Sequence, residues 1–251
     1  MERGSGPMAD AQIVRTGRHA MLAAASLGEV PVPAWFDAGK WQRAGAVTLE
    51  TSGRGEVLVV AHGEDRWVLR HYHRGGFVAR FVEDHYFWLG LERTRAFREW
   101  RLLRGLHAAG LPVPKPVAAH VYRTGAIYTA DIITSYLPNT RKLSWFIGQG
   151  QVPTQCWYKI GGVVRSVHDH GVDHPDVTAH NILVDDRGDV FLVDFDNARS
   201  KPAGDWQRLG VERLQRSLRK VALETGTAFD PEAWRELKRG YDESATASPP
   251  R

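Results

Sequence analysis

The sequence holds a single cysteine, Cys156. An intrachain disulfide framework is therefore excluded, and the chain suits a reducing compartment. No apolar run approaches the ~20 residues that a bilayer-spanning helix needs, and no secretory signal opens the chain. Excess charge of one sign is also lacking: 33 Lys and Arg against 29 Asp and Glu leave +4. That balance permits an anionic partner such as a nucleotide, a phosphorylated lipid or a membrane surface, and selects none of them. There is no internal repeat. The remaining composition, 43% hydrophobic and 25% charged, excludes wholesale disorder, and 251 residues suffice for one large domain or two lobes. Residues 1–34 read as an N-terminal leader whose opening stretch, MERGSGPMADAQ, is flexible, and residues 242–251 read as a disordered tail.

The rest of the chain is organised around His174 to Asp196, HPDVTAHNILVDDRGDVFLVDFD. Two short apolar runs, ILV (182–184) and VFLV (190–193), flank the turn signal DDRG (185–188). Such a pattern predicts a tight β-hairpin. Its ends carry Asp176, Asn181 and Asp194, and these residue types are the ones phosphoryl transfer requires. A carboxylate orients the attacking hydroxyl and takes its proton, while an amide oxygen and a second carboxylate hold Mg²⁺ against nucleotide phosphates. The spacing H-x-D-x-x-x-x-N, then an apolar strand and D-F, resembles the protein-kinase catalytic loop and metal motif, with Asp196 standing where those kinases have Gly. Ordinary turn aspartates on a surface hairpin are the competing reading for any one of the three.

Upstream, AVTLE (46–50), VLVVA (57–61) and WVLRHY (67–72) form a β-meander, against which the aromatic segment WFDAGKW (35–41) packs. The turn between the first two strands carries Gly53, Arg54 and Gly55, of which the glycines fit a nucleotide-covering loop; taken alone, a lone G-x-G reads better as a structural turn. Arg70 stands where the kinase pattern has its phosphate-binding lysine, as a planar fork in place of a point charge. The helix expected over 94–110 offers one acid, Glu99, as its partner; a surface pair of Glu99 with Arg95 or Arg98 is the alternative. Residues 66–104 carry nine Arg against four acids, interleaved with aromatics, which suits a phosphorylated or acidic sugar and also single-stranded nucleic acid, while any individual Arg reads first as part of a solvated basic face over packed aromatics. LPVPKPVAAHVYRTGAIYTADIITSYL (111–137) adds two strands, and Leu137-Pro138 marks a hinge into a helical region. Helices follow over 154–171 and 205–226; the latter sets Val211, Leu214, Leu218 and Val221 roughly opposite Arg213, Arg216, Arg219 and Lys220, which reads first as a core-packed helix with a solvated basic side and secondly as a face that an anionic membrane would attract. His168, His170, His174 and His180 suggest zinc by composition, but the kinase pattern already accounts for His174 and no cysteine joins them. After Asp196 there is no A-P-E and little chain for a peptide-docking platform, so a small or lipid-linked acceptor is expected.

With GRG (53–55), VLRHYHRGG (68–76), TRAFREW (94–100), GLPVPKP (110–116), VTAHNILVD (177–185), VDFD (193–196) and LQRSLRK (214–220) in place, the chain resembles the 3-deoxy-D-manno-octulosonic acid (Kdo) kinase family. Lipopolysaccharide heptose kinases are the neighbouring family and aminoglycoside phosphotransferases a more distant one. The resemblance implies an α+β, two-lobed protein-kinase-like fold: an N-lobe over 35–137, with a five-stranded antiparallel sheet plus helix, and a small, mainly helical C-lobe over 138–241. It further implies ATP-dependent phosphorylation of the 4-hydroxyl of Kdo on a lipid A precursor, peripheral to the cytoplasmic face of the inner membrane and without a nucleic-acid partner. Asp176 would be the catalytic base, Asn181 and Asp194 the Mg²⁺ ligands, and Arg70 with Glu99 the phosphate-positioning pair. The protein-kinase lysine two residues after the base is replaced by Thr178, and His180 or an Arg of the 66–104 stretch would take over its role.

Overall fold

The structure is a computed structural model that describes residues 11–51, 57–73 and 84–244, without the side chains of residues 49–51. The chain divides into two compact units: Met1–Gly105 with Lys115–Tyr136, and Leu106–Pro114 with Leu137–Arg251.

The first unit is built on an antiparallel sheet of eight strands, not five. Five coincide with the strands read from the sequence: β3 (Val47–Thr51), β4 (Val57–His62), β5 (Asp65–His71), β7 (Pro116–Thr124) and β8 (Ile127–Ser135). The leader supplies two more, β1 (Ala11–Thr16) and β2 (His19–Ala24), paired as a hairpin across Gly17 (φ +59°), with β2 running along β7. Met21, Leu22 and Ala23 are fully buried, so the apolar half of this segment joins the core. β6 (Tyr86–Phe87) pairs with β8, and the path across the rest of the sheet is β1-β2-β7-β8-β5-β4-β3.

Period-two alternation fixes what each face of β5 does. Trp67 and Leu69 join Met21, Ala23, Leu58, Val60, Ala118 and Ile133 in one core, closed by Trp35 and Phe36 of the aromatic segment, which leads into the short helix α1 (Ala38–Arg43). Arg70 points the other way, as does Tyr72 just past the strand, toward α2 (Arg95–Ala108). Phe97, Trp100, Leu103 and Leu106 of α2 are each at most 3% exposed, worth about 1.5–3 kcal/mol apiece in apolar burial. Gly110 (φ +79°) ends that segment in the left-handed conformation that glycine takes without cost.

The second unit contains α3 (Leu143–Gly148), α4 (Thr154–Asp169), α5 (Trp206–Glu224) and α6 (Pro231–Ser244), with small strands β9 (Arg141–Lys142), β10 (Val172–Asp173), β11 (Ile182–Val184), β12 (Val190–Leu192) and β13 (Arg199–Ser200). β11 and β12 are the expected hairpin, with Leu183 opposite Phe191. Helix α6 runs through Asp242 to Ser244, so the ordered chain extends past the expected tail boundary. α4 and α6 meet at glycine: a Cβ on Gly161 would drive into the Leu237 carbonyl, and one on Gly240 into the Tyr158 carbonyl. Beside this seam, His168 of α4 bonds through Nδ1 to the Tyr241 hydroxyl at 2.7 Å and stands edge-on to Trp206. Burial pushes the His168 imidazole down to about 4.

Two outcomes are expected. Gly161→Ala or Gly240→Ala should destabilise the second unit by roughly 2–3 kcal/mol, because backbone must move to admit a methyl group; urea unfolding reads this, and a change of under about 0.5 kcal/mol would refute the tight seam. For His168, the folded state resists a proton that the unfolded chain accepts at its ordinary value. Its contribution is therefore fully present above pH 6.5 and falls away as pH drops toward about 4. The loss amounts to roughly 3 kcal/mol, and unfolding midpoints measured across this window should show a shallower pH dependence in His168→Asn.

Candidate active site

In the first unit, Arg70 Nη2 meets Glu99 Oε1 at 2.5 Å and Oε2 at 2.6 Å. The Tyr72 hydroxyl donates to the same Oε2 at 2.6 Å, and the Arg70 guanidinium lies 4.9 Å from the Tyr72 ring centre. The Glu99 side chain is only 2% exposed while that of Arg70 is 21% exposed. Two donors thus compensate one buried carboxylate, while part of the guanidinium still reaches solvent. Tyr72 was not singled out by sequence as a Glu99 partner; its signal was its place two residues after Arg70 on the same strand face. Gly53, Arg54 and Gly55 lie outside the described residues.

On the other face of the same strand, Asp131 takes His71 Nδ1 at 2.6 Å on one oxygen and His120 Nδ1 at 2.8 Å on the other. Burial pushes this carboxyl up, but the hydrogen bonds from the two imidazoles outweigh it and hold Asp131 below the usual carboxylate range.

In the second unit, the residues expected to form the catalytic loop are fixed by a set of short connections. His174 Nε2 faces the Val193 carbonyl at 3.2 Å, and its Nδ1 accepts the Asp176 backbone N–H at 3.3 Å. A carbonyl only accepts and an amide only donates, so the ring is neutral with its proton on Nε2. Burial favours the same form by pushing the His174 pKa down. Asn181 Nδ2 donates to the Asp176 carbonyl at 2.9 Å, and the Val193 N–H donates to the Asn181 carbonyl at 3.0 Å. Asp176, Asn181 and the residue before Asp194 therefore belong to one hydrogen-bonded turn. Asp194 itself has φ +66°, an uncommon conformation for a residue with a Cβ, held next to the fully buried Phe195, whose ring packs 4.5 Å from His174.

Three contributors were not legible beforehand. Asn197 Nδ2 donates to Asp176 Oδ2 at 2.8 Å and orients the carboxylate. Arg213 Nη1 donates to the Pro175 carbonyl at 2.9 Å, so this arginine turns into the loop and leaves the basic helix face assigned to it. Ser217 Oγ accepts the Ala179 N–H at 3.2 Å. The histidines weighed as zinc ligands have other employment: His168 is bound by Tyr241, and His174 by Val193 and Asp176. His180 is exposed.

Mg²⁺ fits the donors of this loop. The Asn181 amide nitrogen is committed to the Asp176 carbonyl, leaving Oδ1 as the end available to a hard cation, and Asp194 adds carboxylate oxygen.

Residues 38–241 match the family described as lipopolysaccharide kinase (Kdo/WaaP). A 3-deoxy-D-manno-octulosonic acid kinase of Vibrio parahaemolyticus is 40% identical over 78% of this chain and 82% of its own. One of Photobacterium profundum is 38% identical over 83% and 89%, and one of Vibrio cholerae 36% identical over 77% and 83%. Among solved structures, WbdD aligns over 80% of this chain and 46% of its own at 16% identity and a TM-score of 0.47, too remote to transfer any residue's role. Sequence likeness of this extent, over a chain whose catalytic-loop pattern is intact, makes the protein a member of the lipopolysaccharide kinase (Kdo/WaaP) family.

Proposed function

We propose that this protein transfers the γ-phosphoryl group of ATP, with Mg²⁺, to the 4-hydroxyl of Kdo on a lipid A precursor. The observation that carries the reading is the second-unit loop, which combines a carboxylate held by Asn197 with an amide and a carboxylate of the right chemistry for a hard cation. Asp176 is the general base. With Oδ2 occupied by Asn197, it orients the acceptor hydroxyl and takes its proton as the oxygen attacks phosphorus. Asn181 and Asp194 would hold Mg²⁺, which when bound neutralises charge on the phosphate oxygens. In the first unit, Arg70 pairs with nucleotide phosphates while Glu99 and Tyr72 fix its plane. The names of the 32–40% identical relatives support Kdo as the acceptor sugar.

A peripheral position on the cytoplasmic face of the inner membrane is part of the same proposal. No helix of the described residues is long and apolar enough to cross a membrane, and α5 exposes Arg216, Arg219 and Lys220 on its outer side. Anionic lipid would draw such a cluster by about 1 kcal/mol per charge near the surface.

The test is ATP/Mg²⁺ turnover with a Kdo-bearing lipid A precursor against the same lipid lacking Kdo. Transfer is expected only to the first, and Asp176→Asn should lower kcat by roughly 10²–10⁴-fold with an unchanged unfolding midpoint. Equal transfer to both lipids, or an Asp176→Asn enzyme within about threefold of wild type, overturns the reading. Transfer to a heptose acceptor alone would keep the chemistry and replace the substrate. Arg70→Lys should raise KM for ATP about tenfold, since a lysine cannot reproduce the planar fork between carboxylate and phosphate.

A further inference from the structure

One face of the first unit's sheet changes character partway along. Met21, Ala23, Trp67, Leu69, Ala118 and Ile133 make its apolar part. Two residues further along the same strands, the inward positions become His19, His71, His120 and Asp131. Sheet register sets these together: His71 lies opposite Asp131, and Asp131 opposite His120. They form a connected row, with His19 Nδ1 2.9 Å from His120 Nε2, and His120 and His71 each bound through Nδ1 to one oxygen of Asp131. Phe36 stacks on His120 with ring centres 4.7 Å apart, so the row is packed from above.

The row ends at a cluster that neither the kinase pattern nor the proposed roles employ. His71 Nε2 looks toward Asp84 Oδ2 at 3.7 Å, and the other oxygen of Asp84 is 2.8 Å from His73 Nδ1. The His71 and His73 rings stand edge to face, 4.9 Å apart. One donor atom from each of His71, His73 and Asp84 lies within 4.8 Å of the other two, and no other such group occurs among the described residues. Bonds of ~2.0–2.1 Å in a tetrahedron place donor atoms about 3.3 Å apart. The donor atoms of the cluster therefore already stand near that spacing.

We propose that His71, His73 and Asp84 bind one divalent transition-metal ion, zinc above all, with Asp131 as the residue that orients His71. Two imidazoles and a carboxylate are the donor set of a borderline cation, not of Mg²⁺, which takes oxygen. The Asp131–His71 contact is the carboxylate–histidine arrangement that metal sites use to fix the tautomer: a proton held on Nδ1 leaves the Nε2 lone pair for the metal. His71, His73 and Asp84 keep 30%, 37% and 36% of their side-chain surface, so the remaining coordination position opens to solvent. Bound there, the ion ties residue 73 to residue 84, eleven positions away, and lies on the face of the strand opposite Arg70 and Tyr72. It shares no residue with the Asn181–Asp194 pair, and it stands or falls independently of the kinase reading.

The experiment uses full-length protein stripped with a chelator and titrated with Zn²⁺ against a chromophoric competitor, with excess Mg²⁺ present. One equivalent is expected to bind, to raise the melting temperature, and to be replaceable by Co²⁺ with the visible absorption of a four-coordinate site. The His73→Ala/Asp84→Ala double variant should lose that equivalent. Asp131→Asn should keep the stoichiometry and weaken affinity by roughly 10–100-fold. All other histidines remain in these variants, so the lost equivalent reports this cluster. Folded wild-type protein that binds no zinc, or binds it as well after the double substitution, overturns the proposal and leaves His73–Asp84–His71 an ordinary hydrogen-bonded group.

Discussion

A neutral imidazole is the constraint on which the loop from His174 to Asp196 depends. His174 accepts from the backbone of Asp176 through one nitrogen and donates to the backbone of Val193 through the other. It thereby joins the start of the loop to the end of the hairpin, 19 residues apart. Neither partner tolerates the opposite hydrogen-bond role, so the arrangement holds only while the ring carries one proton. Burial enforces that condition. Around this joint the remaining connections, Asn181 to Asp176, Arg213 to Pro175 and Ser217 to Ala179, divide the backbone among several elements. A loop held from so many sides can carry Asp194 in a left-handed conformation that an isolated hairpin would relax.

The first unit solves a different problem, which is to hold one carboxylate inside an apolar helix–sheet interface. Glu99 shares its helix with the buried Phe97, Trp100 and Leu103, and Arg70 and Tyr72 both point at it. Both come from one strand face, while the alternate residues His71 and His73 serve the other. A slip of one residue in the pairing of β5 with β8 would bury imidazoles against α2 and turn the guanidinium into the Trp35–Phe36 core. The register is thus fixed by chemistry on both sides of the strand.

How much of this could be read beforehand follows from sequence distance. The hairpin, the helix bearing Glu99 and the Arg70–Glu99 partnership were legible because each rests on a local period or on one unusual acid in a basic helix. Asn197, Arg213 and Ser217 were not, since each meets its partner across 21 to 38 residues and nothing nearby marks it. The leader hairpin was hidden by the polar, glycine-rich residues before it, although Met21 to Ala23 are as buried as any part of the core. Helix α6 escaped because its buried face is Ala233, Leu237, Gly240 and Tyr241 among many charges. Its best contact uses glycine, which carries no hydrophobic signal.

That glycine seam also bears on the order in which the molecule can be completed during synthesis. Helix α4 is made well before α6, yet the surface it offers at Gly161 is bare backbone, a groove with no side chain of its own to cover it. Until residues 231–244 leave the ribosome, α4 lacks the partner that covers this flank in the finished fold, and His168 lacks its tyrosine.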